Sequence, residues 1–517
     1  MNRSSALKVI VGVGLATLML LLAFLPRSLK ADQVQPLHGG IFVGDLTVPE
    51  DGFSTGEPLS LDEVTRLALA ENLDMRIARL TRESKHHDRS IAMAIYDTEI
   101  AMAGTYLHDE AKQSNSVFGN REIDGDVSIS VSKEIPLGTN LGVDLISERH
   151  STASTFSSLS RNYESLAKFT VKQPLLKNFF GWIDRAELRQ VRLDIKQFDY
   201  DTLDEIEATL AEIRSQYWDL KFAHENLLTR RKALRKAQNF LSITREKLDI
   251  GLTEKPDVYA AEANVRQRVL DVLEATHTLF SASYALKVNL RMPEVELILP
   301  ADAPVFEPLD IDYSEALDLA LESRLDLKKK ELEIENQETE VKIRKQEKWP
   351  DLDFEGSLGS QALERELGPS QTKVFDWENL QYYAAFKLSS PLENREARHA
   401  ATQAELELQK VKREREKLRM IVGMEIDESW RNLQLTANRV RQTREIERLQ
   451  RQKLEEEEKN FNRGRSDSKA IIDFQEDVID AETEAISGLV DYMKAVDGYY
   501  RSANRLLEYA DVSKEHL

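Results

Sequence analysis

The 517-residue sequence contains no cysteine. That excludes disulfide bonds, thiolate chemistry and Cys-ligated zinc, and it excludes a lipid anchor attached through an N-terminal cysteine. Aromatic residues make up only 7% of the chain, and glycine and proline number 21 and 14. With segments rich in Ala, Glu, Lys, Leu and Arg, this scarcity suits long helices rather than a thick globular core. Basic residues are outnumbered, 70 against 90 acidic ones, for a formal net charge of -20. A phosphate-binding face needs the opposite sign, so nucleic acid is not an expected partner; the acidity reads as solvation of helix surfaces. Catalytic signatures are missing too. There is no phosphate-cradling glycine loop, nucleophile elbow or zinc-protease motif. The cluster His86-His87-Asp88 lies in a polar helix with no second cluster, and reads as a solvated face. No catalytic residue, bound metal or cofactor is therefore expected, and the chain is not read as an enzyme.

Long apolar runs are almost absent. The exception is residues 9–25, preceded by Arg3 and Lys8 and followed by Pro26, with Leu29-Lys30-Ala31 as a cleavage site. These are the three parts of a secretory signal peptide over residues 1–31. The run is also long enough for a retained membrane anchor. No later segment approaches a transmembrane helix, so a further encounter with a membrane must use strands.

What is present is periodicity. Every seventh residue from Ile206 is apolar: Ile206, Ile213, Leu220, Leu227, Leu234, Leu241 and Leu248. Such a seam keeps one stripe of a helix against a partner over a long distance. The companion positions Leu210 and Tyr217 give way to His224, Arg231, Gln238 and Arg245, so the helix is expected in a wall with neighbours on its sides and water on one face. It is predicted from about Arg185 to Ile250, on the order of 100 Å at ~1.5 Å per residue. Gly251 stops it, Pro256 sits inside the start of the next helix, and that helix has its own seam, Val258, Val265, Val272, Leu279 and Leu286. The two form an antiparallel hairpin.

Upstream, residues 32–58 lack helical periodicity and read as an extended arm. Ser60 followed by Glu63 is a capping box that opens a helix predicted to run to about Leu107. Then the period changes to two. Val127, Ile129 and Val131 alternate with serines; Leu141, Val143 and Leu145 alternate with Gly142 and Asp144; Phe169 and Val171 alternate with polar residues. Residues 147–165, crowded with Ser, Thr and Asn, are expected to be a loop. Short alternating segments are the mark of membrane β-strands and equally of a small soluble sheet. Phe179, Phe180 and Trp182 follow directly, as aromatics do where a chain leaves lipid for water.

The chain then repeats itself. Glu63, Leu67, Ala68, Leu69, Leu73 and Asp74 are matched by Glu315, Leu319, Ala320, Leu321, Leu325 and Asp326. Strand-like pieces at 351–358 and 380–388 follow Trp349-Pro350, and Ser390-Pro391-Leu392 answers Gln173-Pro174-Leu175. A long charged helix over 393–461, a turn at Arg463-Gly464-Arg465-Ser466 and a last helix with the seam Ile472, Ile479, Ile486, Met493, Tyr500 and Leu507 complete the echo. The expected layout is a first repeat at 59–299 with strands about 125–175, a linker at 300–310, a second repeat at 311–507 with strands about 351–391, and a tail at 508–517.

Through these motifs the sequence resembles the outer-membrane efflux protein family, the TolC-like channels, over about residues 59–507. Leu59-Ser60-Leu61-Asp62-Glu63, Gln173-Pro174-Leu175-Leu176, Gly251-Leu252-Thr253 with Asp257-Val258, and their second-half echoes carry it. The resemblance implies a mostly α protein with membrane β: a duplicated helix-strand-strand-helix-helix unit, forming a long coiled-coil helical barrel plus four strands per protomer in a shared trimeric β-barrel. It implies a homotrimeric, passive export duct of a tripartite efflux or type I secretion system in the outer membrane, extending into the periplasm. Its partners would be outer-membrane lipid, a periplasmic adaptor (membrane fusion) protein and, through the adaptor, an inner-membrane pump. Gly251, Leu252, Thr253, Gly464 and Ser466 become adaptor-docking positions at the hairpin tips. Asp473, with Asp257 at the matching first-half position, becomes a pore constriction, although Ala470 stands where the family pattern expects a second aspartate. Phe179, Phe180, Trp182 and Trp349 become membrane-interface aromatics. The first half offers three extended pieces where this pattern needs two, to be absorbed by a bulge or a water-exposed extension. The competing reading is a periplasmic coiled-coil adaptor or scaffold anchored by an uncleaved N-terminus.

Overall fold

The computed structural model describes residues 56–110, 122–152, 159, 161–463 and 465–512. The signal peptide, nearly all of the arm, Gly464 and the end of the tail lie outside the described residues. The arm's last residues form β1 (Glu57–Leu59), which pairs in parallel with β6 (Ile298–Pro300).

The first repeat opens as its capping box dictates. The Ser60 hydroxyl accepts from the Glu63 backbone N–H, and the Glu63 carboxylate accepts from the Ser60 backbone, starting α1 (Leu61–Glu71). Asn72 caps α2 (Leu73–His86), and α3 (Asp88–Ala92) follows. After a sheet segment of four strands come α4 (Trp182–Asp249) and α5 (Lys255–Leu290). The second repeat gives α6 (Tyr313–Ser323), capped by Asp312, α7 (Leu325–Gln346), two strands and a short α8 (Leu367–Lys373) between them. It ends in α9 (Arg395–Asn462), α10 (Ser468–Ser502) and α11 (Leu506–Tyr509). Helices α4 and α9 are both 68 residues long, so the duplication extends to the length of its main struts.

The first seam is buried along α4: Ile206, Ile213, Leu220 and Leu227 are each at most 2% exposed. Val272, Leu279 and Leu286 of α5 are buried as well. In α10 the row one position before the expected one, Ile471, Val478, Ala485, Tyr492 and Tyr499, is buried throughout, whereas of the expected row within α10 only Ile479 is buried. The reason is that α10 packs on both α9 and α4. With two neighbours, two adjacent heptad rows are apolar, and only burial tells which is central.

The strand region differs most from expectation. Six antiparallel strands, not four, form one sheet in the order β2 (Thr98–Asp109), β3 (Glu122–Ile135), β4 (Thr139–Thr152), β5 (Arg161–Pro174), β7 (Asp351–Glu364) and β8 (Leu380–Ser389). The helix expected to reach Leu107 ends with a 3-10 turn at Met93–Tyr96, and β2 takes over at Thr98. Ala101, Met102, Ala103 and Leu107 suit a helix by intrinsic preference, but a full ladder to β3 decides the outcome. The two ends of the expected loop at 147–165 are strand, residues 147–152 on β4 and 161–165 on β5; residues 153–158 and 160 lie outside the described residues. Neither a bulge nor a water-exposed extension absorbs the piece at Val127 to Val131. It is a complete strand, joined to β4 by a tight turn at residues 136–138.

Candidate functional site

The sheet has two chemically distinct faces. Strand alternation puts Ile100, Met102, Val127, Ile129, Val131, Val143, Leu145, Phe169, Leu358, Tyr382 and Phe386 on one of them, and the registers align these residues across all six strands. On β7 this face carries no charge from Leu352 to Ala362. At ~3.3 Å per residue and a tilt of ~40° that is about 25 Å, the height of a bilayer's apolar band. Lys133 flanks the band at the helix-proximal end, Arg149 and Glu364 at the other. The opposite face is polar: Asp124, Asp126, Ser128, Ser130 and Ser132 of β3, Asp144 and Glu148 of β4, Lys168 and Lys172 of β5, Glu355 and Ser357 of β7. Its charges are cross-linked, Lys172 to Asp353 at 3.1 Å, and Lys387 to Glu355. Over the distal end of the apolar face lies α8, where the Ser370 and Ser165 hydroxyls meet at 3.0 Å, and Val374 in the 3-10 turn just after it packs on Ala167 and Ala362.

The sheet is rooted on α4 by backbone geometry. Phe180 and Gly181 are left-handed, φ 48° and 65°, and Gly138 in the β3–β4 turn has φ 68°. The two glycines touch: a Cβ on Gly138 would lie 2.7 Å from the Gly181 nitrogen. Arg185 donates to the Pro136 and Phe180 carbonyls at 2.8 and 2.6 Å. Phe179 and Phe180 meet edge to face and are exposed, Trp182 is half-buried and Trp349 is exposed. All four stand at this helix-proximal rim.

At the far end the two hairpin tips pack side by side. Phe240 of α4, Ala261 of α5, Phe461 of α9 and Ile471 of α10 form one buried cluster. The Lys247 ammonium sits 3.5 Å from the centre of the Phe461 ring and donates to the Phe461 carbonyl; burial there lowers its pKa. Gly251, φ 77°, ends α4, and the Leu252 N–H reaches back to the Lys247 carbonyl at 2.8 Å. This is a Schellman-type closure, and it leaves Leu252 71% exposed. The Thr253 hydroxyl and the Glu254 backbone both donate to Asp257, so Asp257 is the N3 carboxylate of a capping box. Ser466 donates to Glu457 at 2.6 Å and Asp467 caps α10. Asp473 lies exposed on α10 and, among the described residues, has no hydrogen-bond or ion-pair partner. The structure thus gathers Gly251, Leu252, Thr253 and Ser466 at one end, places Asp473 nearby and engages Asp257 in capping. His86, from the metal-like cluster, contacts Asp199 at 2.8 Å.

Sequence reasoning missed what joins the two repeats. Asp497 of α10 accepts from Arg214 Nε and Nη2 at 3.0 and 2.7 Å and from Trp218 Nε1 at 3.1 Å. Tyr217, whose hydroxyl donates to Asp302 at 2.7 Å, is held neutral by burial, which raises its pKa. Nothing local marks Asp497 among the many acids of α10. The β2 strand did leave a signal, the alternation of Ile100, Met102, Gly104 and Tyr106.

Residues 316–493 match the family model described as Outer membrane efflux protein. No curated protein matches the chain by sequence. Among solved structures, the Campylobacter jejuni CmeC outer membrane channel superposes with a TM-score of 0.65 at 13% identity, covering 88% of this chain and 90% of its own. The open state of the Neisseria gonorrhoeae MtrE outer membrane channel gives 0.64 at 16% identity, over 87% and 90%. The Vibrio cholerae outer membrane protein VceC gives 0.62 at 14%, over 86% and 96%.

Proposed function

Because the chain is a TolC-like member of the outer membrane efflux protein family, we propose that three copies assemble into one passive duct that exports cargo across the periplasm and outer membrane, as the outer component of a tripartite efflux or type I secretion system. One observation carries this reading. Each molecule offers an open sheet with a lipid-height apolar band on one face and a charged lining on the other, standing on helices that are polar except for their seams. An open sheet cannot span a bilayer, since its edge N–H and C=O groups would be unpaired in hydrocarbon; sister copies remove the edges. Among the described residues no helix is long and apolar enough to cross a membrane.

The rest of the reading follows. Residues 1–31 are removed as a signal peptide; the arm at 32–58, the repeats at 59–299 and 311–507, the linker at 300–310 and the tail at 508–517 remain. Exposed Leu252, with Gly251, Thr253, Gly464 and Ser466, receives the hairpins of a periplasmic adaptor that couples the duct to an inner-membrane pump. Asp473 contributes one carboxylate per copy to a ring that holds cations at the entrance; Asp257, already engaged in capping, is the weaker member. Phe179, Phe180, Trp182 and Trp349 sit at the inner membrane–water boundary. The alternative, a periplasmic coiled-coil adaptor or scaffold anchored by an uncleaved N-terminus, would expose the whole apolar band of the sheet to solvent, an aggregation hazard. The test is purified protein added to a planar lipid bilayer. Discrete conductance steps are expected; a lipid-inert monomer without conductance would overturn the reading.

A further inference from the structure

Each copy brings six strands, and the two outer ones, β2 and β8, have one ladder each among the described residues. Several features show that the two added strands belong to the wall rather than lying beside it. The apolar face continues without a step from β8 to β2, and so does the polar face. The chain enters the sheet from the helices at β2 and leaves the first repeat from β5 into α4, so the extra piece relative to the second repeat is the β3–β4 hairpin, inserted within the wall. Its turn is fixed to the root of α4 by the Gly138–Gly181 contact and by Arg185. Finally, β2 runs away from the helices and β8 runs back toward them, so adjacent copies around an axis present antiparallel partners of matching length, 12 and 10 residues.

We propose that β2 of one copy pairs with β8 of the next, and that three copies close an eighteen-stranded barrel rather than a twelve-stranded one. This rests on the trimeric reading above and adds the seam and the size. At ~4.8 Å between strands and ~40° tilt, eighteen strands give about 36 Å between opposite backbones, against about 24 Å for twelve, an approximately 1.5-fold wider outer segment. The inserted hairpin lines it with Asp124, Asp126, Asp144 and Glu148, so the extra circumference is acidic.

The cysteine-free sequence makes the seam directly testable. Full-length protein is made with one cysteine at Ile100, Met102 or Gly104 and a second at Tyr382, Ala384 or Phe386, all on the apolar face, and is oxidised in membranes. At least one pairing is expected to give covalent trimers on denaturing gels, with no single-cysteine variant giving them. A control set pairs Val143→Cys of β4 with the same β8 positions. Trimers from that set alone mean closure through β4 and overturn the eighteen-stranded wall while leaving the trimer intact. A native mass of one chain overturns both the trimer and the seam. Electron microscopy of the unmodified trimer in nanodiscs gives an independent count: eighteen strands are expected, and twelve would refute the proposal even where cysteine variants fail to fold.

Discussion

Replacing Asp497 with alanine tests the link between the two repeats. The Arg214 and Asp497 side chains are 4% and 7% exposed, and Asp497 takes three hydrogen bonds, two from Arg214 and one from Trp218. Asp497→Ala leaves a guanidinium buried with only a long contact to Thr65 and the face of Tyr509 near it, and strands the Trp218 N–H. Breaking a buried pair from one side costs about 3–5 kcal/mol, the lost indole bond lying within that figure rather than adding to it. Against a total stability of about 5–15 kcal/mol this is a large fraction. Asp497→Asn, which retains an acceptor for Trp218, should lose less. The double variant Arg214→Met with Asp497→Leu removes both charges and should recover most of the loss, because the penalty lies in the orphaned charge rather than in the absent attraction. Urea unfolding at fixed protein concentration, followed by helix ellipticity and tryptophan fluorescence, reads these differences. If Asp497→Ala costs under about 1 kcal/mol, or the double variant is as unstable as the single one, the pair does not hold the repeats together.

Four further outcomes are expected. Leu252→Asp should change stability by less than about 0.5 kcal/mol, since the residue touches little, yet weaken binding to the purified adaptor by about tenfold, or 1.4 kcal/mol; unchanged affinity would remove Leu252 from the docking surface. Asp473→Ala should raise single-channel conductance or weaken block by divalent cations, and identical currents would return Asp473 to an ordinary solvated carboxylate. His224 is half-buried, and this desolvation lowers its pKa from 6.5 against the upward pull of Glu225 and with the repulsion of Lys221 and Arg231. The folded chain therefore binds this proton less readily than the unfolded one, so the His224 contribution to stability is full above pH 6.5 and falls as the pH drops toward the depressed value. His224→Gln should flatten that acid limb, and an unaltered slope between pH 7 and 5 (roughly the histidine range) would exclude the group. Gly138→Ala meets both a left-handed backbone and the Gly181 nitrogen; a loss of about 1–3 kcal/mol is expected, seen as reduced trimer yield, and wild-type yield would show that the turn does not anchor the sheet.

Much of the helical architecture was legible because it is periodic. The seam from Ile206 to Leu227 is buried where the heptad places it, and both 68-residue helices end at the expected turns. Capping chemistry is local, so Ser60 with Glu63 was readable too. The tip positions were reached through motif resemblance, and the structure gathers the described ones at one end. Strands were harder. At Thr98 to Asp109 the residues suit either a helix or a strand, and a partner strand whose paired residues lie 13 to 35 positions away, from Asp109↔Glu122 to Thr98↔Lys133, supplies the deciding hydrogen bonds.

By itself, then, the sequence determined what repeats along one dimension: two long hairpins, the duplication, the caps and the alternation of most strands, all set by interactions a few residues apart. The tertiary structure alone decided the number of strands, the central row of α10 and the Arg214–Asp497 link. Each of these depends on which distant segment lies opposite, and a side chain's neighbour across a ladder or between helices leaves no mark in its own local sequence.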